Sequence, residues 1–316
     1  MQSNILITSA GKRVELLQEF QRELTDGKVL SVDLNPKMAP ACHVSDGAFP
    51  VPRVTEPDYI PTLLDICKGN GVRVVIPTID TELAILAEAR EVFKNEGIEI
   101  IVSDPEFISL CRDKRLTMQL FDRLGIPYPA AVDKHNPTFP LFAKPYDGSL
   151  STNIHLIRSR AELTEEILND PKLIFMEAID KSEFREYTVD MYYGADGYVK
   201  GIVPRERIEI RSGEINKGIA RKNRLVGYLK ERMNRMPGVR GCICIQLFYR
   251  EEDGQVYGIE INPRFGGGYP LSYYAGANFP RMIIDEYILG QQIPYSEDWQ
   301  DGTIMLRYDS QVIIRP

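Results

Sequence analysis

Two architectures in succession are predicted for this 316-residue sequence: a parallel α/β lobe, then an α+β unit built on antiparallel strands. Three observations carry the expectation. Up to about residue 102, short apolar runs alternate with stretches whose apolar residues recur at helical spacing, the rhythm of strand–helix–strand units. From about residue 180, strand-like runs follow one another across tight turns, as antiparallel hairpins do. Between the two, a strand, a hydroxyl-rich loop and a second strand make a small flap. Boundaries fall at 1–112, 113–179 and 180–316.

Taken in order, Asn4-Ile5-Leu6-Ile7-Thr8 is a buried-strand run, Ser9-Ala10-Gly11 a tight turn, and Val14, Leu16, Leu17, Phe20 and Leu24 share one helical face. Val29-Leu30-Ser31-Val32-Asp33 is the next strand. Asp33 following Gly11 imitates a dinucleotide fingerprint, but the remaining glycines of G-x-G-x-x-G are missing, so the lobe is Rossmann-like without a nicotinamide site. Helix 57–69, strand 72–76, helix 82–95 and strand 98–102 continue the alternation. Pro77-Thr78-Ile79-Asp80-Thr81-Glu82 then lies at the carboxyl end of a strand, where open α/β sheets bind ligands. Asp80 and Glu82 are therefore candidate substrate contacts; plain helix capping also accounts for Asp80 and Thr81. Ser103 with Glu106 reads as a capping box opening one helix to Leu124, stopped by Gly125-Ile126-Pro127.

The flap is Leu141-Phe142-Ala143-Lys144-Pro145, the loop Tyr146 to Asn153, and Ile154-His155-Leu156-Ile157. Small loop residues expose backbone N–H groups that can cradle phosphate, and a strand lysine reaches it as a point charge. An ordinary mobile turn fits the loop as well. Ser159 and Glu162 cap the next helix, Leu173 to Glu177 is a strand, and 186–193 with 198–203 form a hairpin over Gly194-Ala195-Asp196-Gly197. Arg205, Arg207, Arg211, Lys217, Arg221, Lys222 and Arg224 crowd into the next stretch, either as a contact for an anionic ligand or as a solvated charged face. Helix 223–235 follows.

The stretch from Cys242 to Gly268 has the strongest chemical pattern. Alternation along a strand places Gly258, Glu260 and Asn262 on one face and Tyr257, Ile259 and Ile261 on the other. A three-residue loop Glu252-Asp253-Gly254 pairs positions summing to 506, which sets Gln246 opposite Glu260. One carboxylate and two amide oxygens then converge, a donor set of the hard oxygens that Mg²⁺ accepts. Arg264 follows at once, and Gly266 to Gly268 allow close backbone approach to a ligand. A solvated edge hairpin with a Gly-rich turn is the alternative.

Composition narrows the classes. Hydrophobic content of 43% and charged content of 26% are ordinary for a globular protein, and no apolar run approaches the ~18 residues of a membrane span. A cytoplasmic location is expected, since the N-terminal strand is too short for a signal-peptide core. Five cysteines without a Cys-x-x-Cys pair, and only three histidines, favour buried thiols over a zinc site. A net charge of −7 argues against a nucleic-acid partner.

Taken together, Asp113-Lys114, Phe142-Ala143-Lys144-Pro145, the Gly148 to Asn153 flap, Met176-Glu177, Glu186-Tyr187-Thr188-Val189-Asp190, Gln246 and Glu260-Ile261-Asn262-Pro263-Arg264 resemble the ATP-grasp superfamily. The chain is most similar to stand-alone relatives of the carbamoyl-phosphate synthase large subunit, with one grasp half and a Rossmann-like domain before it. The resemblance implies ATP with Mg²⁺, or Mn²⁺, as cofactors. It implies phosphate contacts from Lys114 and Lys144 under a lid holding Gly148, Ser149 and Ser151. Glu177, Ala178 and Ile179 would hold adenine, Glu186 the ribose side, and Arg211 and Lys217 would join the nucleotide site. Gln246, Glu260 and Asn262 would hold the metal. Arg264 and Lys144 would be catalytic, with Arg264, Gly267, Gly268, Asp80, Glu82 and Arg207 around the substrate. The flap has fewer glycines than many members, and no Cys/His pair suggests a glutaminase.

The implied reaction activates a carboxylate as an acyl phosphate for attack by an amine or another nucleophile. Carboxyphosphate formation, kinase-type phosphoryl transfer and non-catalytic nucleotide binding are the other readings. Expected partners are small-molecule carboxylate and nucleophile substrates, with no nucleic acid and no membrane; a homodimer is compatible.

Overall fold

The computed structural model describes residues 3–148, 152–211 and 213–315. Its first sheet contains β1 (Asn4–Ile7), β2 (Val29–Asp33), β3 (Ala48–Pro50), β4 (Val72–Ile76) and β5 (Glu99–Ile100). All pairs are parallel, in the order β3-β2-β1-β4-β5. Helices α1 (Val14–Glu23), α2 (Pro40–Val44), α3 (Tyr59–Gly69) and α4 (Leu83–Asn95) cover it. The alternation along β1 shows why both faces need covering. Ile5 and Ile7 join Leu16, Leu17 and Phe20 of α1, whereas Leu6 joins Leu63 of α3 and Leu86 of α4. Strand order reverses between β1 and β4, so a crevice opens at their carboxyl ends, between the turn after β1 and residues 77–82.

The helix expected from the Ser103/Glu106 pattern is two helices, α5 (Pro105–Arg112) and α6 (Lys114–Leu124). Ser103 is buried and accepts the Arg240 N–H, so it does not cap. Pro105 occupies the first helical position and Asp104 before it is extended. Asp113 breaks the run because its carboxylate accepts the Arg115 N–H, starting α6 with Lys114 as its first residue. Gly125 ends α6 in the left-handed conformation at φ 62°.

A three-stranded antiparallel sheet, ordered β7-β6-β8, contains β6 (Leu141–Pro145), β7 (His155–Ile157) and β8 (Leu173–Glu177) over α7 (Glu165–Asn169). Thr164 caps α7 through the Ile167 N–H. Ser159 precedes only a 3-10 turn, without capping it through its side chain.

The largest sheet is antiparallel, in the order β13-β12-β9-β10-β11-β14. It contains β9 (Arg185–Tyr193), β10 (Val199–Arg211), β11 (Glu214–Ala220), β12 (Gly241–Tyr249), β13 (Val256–Asn262) and β14 (Ile304–Leu306). Helices α8 (Arg224–Met233), α9 (Pro270–Ala275) and α10 (Phe279–Ile283) pack on it. One apolar core runs from α1 through α9 and α10 into β9 and β12, and Phe20 meets Phe265 edge to face at 5.9 Å. The parallel lobe is thus fused to the large sheet on the side where their ligand-bearing ends meet.

Gln246 pairs with Glu260, and Cys244 with Asn262. The turn, however, closes differently from the three-residue expectation. Tyr249 pairs with Val256 and Leu247 with Gly258, and an irregularity between Gln246 and Leu247 leaves Ile259 as an extra residue that restores the Gln246–Glu260 pairing. Strict alternation along β13 therefore stops at that bulge.

Candidate active site

The face of the large sheet carrying Glu260 is polar because registered residues of four strands line up across it. Arg205 on β10, Thr188 on β9, Gln246 on β12 and Glu260 on β13 form one row, and Asp190, Cys244 and Asn262 stand in the next. The Asn262 amide nitrogen donates to Glu260 Oε1 at 3.0 Å. The Gln246 side chain has no protein partner among the described residues.

Two lysines approach this carboxylate from other elements. The break at Asp113 brings Lys114 inward, where its Nζ donates to the Gly148 carbonyl at 2.7 Å and lies 3.6 Å from Glu260 Oε2. Lys144 of β6 is buried, and its nearest acceptor is the Ile259 carbonyl at 3.5 Å, presented by the bulge. Burial lowers the Lys144 pKa to about 8; Glu260 opposes the fall and Lys114 adds to it. Burial acts to raise the Glu260 pKa, but Lys114, Lys144, the Asn262 amide and Arg264 outweigh it and hold the carboxylate below its ordinary range.

Arg264 joins the large sheet to the parallel lobe. It pairs with Asp80 at 2.9 Å and lies 3.4 Å from Asn262 Oδ1, while its buried Nε has no partner among the described residues. Asp80 thus faces this cleft. Glu82 does not: it is fully buried and its carboxylate accepts from the N–H groups of Thr78 and Ile79 and the hydroxyls of Ser9 and Tyr59. Four internal donors make it a brace for the 77–82 loop, not a substrate contact.

Two residues further along β10, Arg207 pairs with Glu186 at 3.0 Å and donates to the Gly213 carbonyl, and its buried Nε is unpartnered among the described residues. Arg211 and Lys217 lie apart from this group. They form exposed pairs with Asp309 and Glu209, and Arg211 is four residues beyond Arg207 on β10, about 13 Å along an extended strand. At the adenine-side positions, Glu177 accepts the Ala130 N–H at 3.1 Å, the Ala178 N–H points at the Pro140 carbonyl at 3.4 Å, and Ile179 is half-buried. Ser149 and Ser151 lie outside the described residues.

Gly266, Gly267 and Gly268 make room for side chains of the protein itself. A Cβ at Gly268 would stand 2.3 Å from an Arg205 nitrogen, and one at Gly267 would stand 2.9 Å from the Glu214 carboxyl carbon. Behind this turn, Arg205 and Asp190 form a buried bidentate pair at 2.6 and 2.8 Å. Asp190 also accepts from Ser272 at 2.5 Å and Cys244 at 3.0 Å. Arg205 therefore leaves the basic strip expected to meet a ligand and belongs to the core.

The donor set of Glu260, Gln246 and Asn262 fits a hard divalent cation, and surrounding cations fit phosphate oxygens. Residues 5–101 match the family model "PylC-like, N-terminal domain", and residues 169–309 match "ATP-grasp in the biosynthetic pathway with Ter operon". The chain carries an ATP-grasp domain. Solved structures share the fold of the whole ATP-grasp chain with its preceding lobe. N5-carboxyaminoimidazole synthetase from Staphylococcus aureus complexed with ADP is 16% identical, at a TM-score of 0.70 over 96% of this chain and 80% of that one. Biotin carboxylase from Campylobacter jejuni is 16% identical, at 0.71 over 95% and 73%. An L-amino acid ligase from Bacillus licheniformis is 18% identical, at 0.66 over 90% and 74%. No curated protein matches by sequence. No helix among the described residues is long and apolar enough to cross a membrane.

Sequence reasoning missed Lys12, Arg13 and Arg307, which reach the same cleft. Arg13 donates to the Thr78 carbonyl at 3.5 Å, and Lys12 and Arg307 share the Glu214 carboxylate at 3.2 and 2.8 Å. Arg13 had one signal, its place two residues after Gly11 in a turn at a ligand-binding strand end. Arg307 had none.

Proposed function

We propose that the chain is an ATP- and Mg²⁺-dependent ligase that phosphorylates a carboxylate and passes the acyl group to an amine or related nucleophile. One observation carries the reading: Lys114, Lys144 and Arg264, from three separate parts of the ATP-grasp arrangement, converge on Glu260 and its two amide neighbours. Bound there, Mg²⁺ would neutralise phosphate charge, with Glu260, Gln246 and Asn262 as its protein ligands. Lys114 and Lys144 bind phosphate oxygens and hold the nucleotide against β13. Arg264, fixed by Asp80, orients the acid carboxylate and stabilises the negative charge that develops as it is phosphorylated. Arg207 and Glu186 flank the nucleotide side, and the Gly148 carbonyl steadies the Lys114 ammonium beside the phosphates. The fold shared with a protein complexed with ADP and with an amino acid ligase supports the ligase class of this reading.

The test is isotopic. With a turned-over acid carrying ¹⁸O in its carboxylate, one labelled oxygen must appear in inorganic phosphate, because the nucleophile expels phosphate from the acyl carbon. A stable phosphorylated product would make the protein a kinase. Unlabelled phosphate during productive coupling would exclude the acyl phosphate.

A further inference from the structure

We propose that the end of the cleft bounded by Arg13, Arg264 and Arg307 holds a second anionic group, so that the acid is a dianion gripped remotely by Arg13 and Arg307. The inference rests on the ligase reading and names the class of its acid.

The geometry begins at the reversal of strand order between β1 and β4. Gly11 is fixed by its N–H to Asp33 at 3.0 Å, and the turn it makes aims Arg13 across the crevice at the 77–82 loop. There Arg13 finds, among the described residues, the Thr78 carbonyl alone, at a distance too long for a strong bond. Two residues along that loop, Asp80 is taken by Arg264. From the large sheet, Arg307 follows β14 and donates to the Gly267 carbonyl and to Glu214. The other oxygen of Glu214 is taken by Lys12. The ion pairs of Lys12, Arg264 and Arg307 use two carboxylates, Asp80 and Glu214; the third carboxylate near them, Glu260, is shared by Arg264 with Lys114 and Lys144, and Arg13 forms no ion pair among the described residues.

Such an imbalance is unfavourable in a partly desolvated crevice unless a ligand supplies the missing negative charge. Burial depresses the Arg13 pKa, and Arg264 and Arg307 add to the fall while Glu214 opposes it without reversing it. Activating one carboxylate requires Arg264 beside the phosphates. It gives no use to Arg13 and Arg307 on the far side, whose fork-shaped donors suit a second carboxylate or a phosphate.

The experiment measures binding of four-, five- and six-carbon dicarboxylates to the MgADP-loaded protein by calorimetry, each against its monoamide. Phosphonocarboxylates of matched length form a second arm that separates a remote phosphate from a remote carboxylate. At least one dianion should bind about tenfold or more tighter than its singly charged analogue. That preference should collapse in Arg13→Gln and in Arg307→Gln, with melting temperature as the control for folding; Arg307 is half-exposed and its variant is the safer of the two. Absence of any preferred dianion, or a preference that survives both substitutions, overturns the subsite. MgADP affinity is read separately: failure to bind nucleotide defeats the ligase reading, whereas nucleotide binding without dianion preference defeats the subsite alone.

Discussion

Asp190 and Glu260 stand in neighbouring rows on one face of the same sheet, and both have cations beside them, yet their surroundings differ in kind. Asp190 is saturated, accepting from Arg205 twice, from Ser272 and from Cys244, within a shell closed by α9 and the glycine turn. Glu260 has one amide at hydrogen-bond distance and a lysine at 3.6 Å, while Lys144 settles for a carbonyl at 3.5 Å. A structural ion pair closes on itself; charges gathered for a ligand stay under-partnered, because the ligand completes them.

Removing one partner from the closed shell has the largest expected effect. Asp190→Asn leaves a buried guanidinium uncompensated and should cost about 3–5 kcal/mol of unfolding free energy by denaturant titration. Glu260→Gln should do the reverse, lowering ATP turnover on the order of 10²–10³-fold while shifting the denaturation midpoint little. Retained Mg²⁺-dependent ADP release in that variant would break the contrast.

Lys144 sharpens the comparison through pH. Its folded pKa of about 8 lies below the ordinary 10.5, so the native protein releases this proton before the unfolded chain does. Stability therefore rises with pH between those values, while phosphate binding, which needs the charged lysine, weakens above pH 8. Nucleotide affinity from pH 7 to 9.5 should show that decline in the wild type, and Lys144→Met should be about tenfold weaker at pH 7 with a flatter profile.

Glu19 gives the smallest effect and probes the generality of the rule. It is fully buried on α1 with both oxygens unpartnered among the described residues, and burial, with Glu15 adding, raises its pKa well above 4.5. Above pH 4.5 the unfolded chain ionises while the native carboxyl keeps its proton, so this group costs stability as pH rises. Glu19→Gln should raise the melting temperature by about 2–4 °C at pH 7.5 and leave it unchanged at pH 4. Equal shifts at both pH values would show a packing effect instead of a titration.

Much of this was legible in the sequence for reasons that are local. Periods of two and of helical spacing marked four strands of the first sheet and the hairpins of the second, because one face of each element is buried. Glu260, Asn262 and Arg264 were legible because they are near in sequence. Strands β3, β11 and β14 were not: β3 and β14 are short, lie at sheet edges and have largely exposed side chains, and β11 lies within the basic stretch, where Lys217, Arg221 and Lys222 masked its pairing with β10. Arg205 and Arg207 looked alike in the chain. Which of them is buried against Asp190 depends on a cross-strand neighbour and on glycines sixty residues away. Likewise Glu82 resembled Asp80 until the fold turned its carboxylate onto Ser9 and Tyr59.

The bulge at Ile259 sets the ligand row independently of the hairpin tip. Gly258 donates to the Pro127 carbonyl at 2.7 Å and Ile259 accepts from Lys144, so the bulge is clamped from two other elements. Residues 250–255 at the tip are then free of the task of keeping Gln246 opposite Glu260. This makes the tip a natural port for protein engineering: a reporter or affinity tag inserted after Asp253 should lengthen the connection without moving the Glu260 row, whereas a single residue inserted between Glu260 and Asn262, past the bulge, would turn Asn262 onto the opposite face.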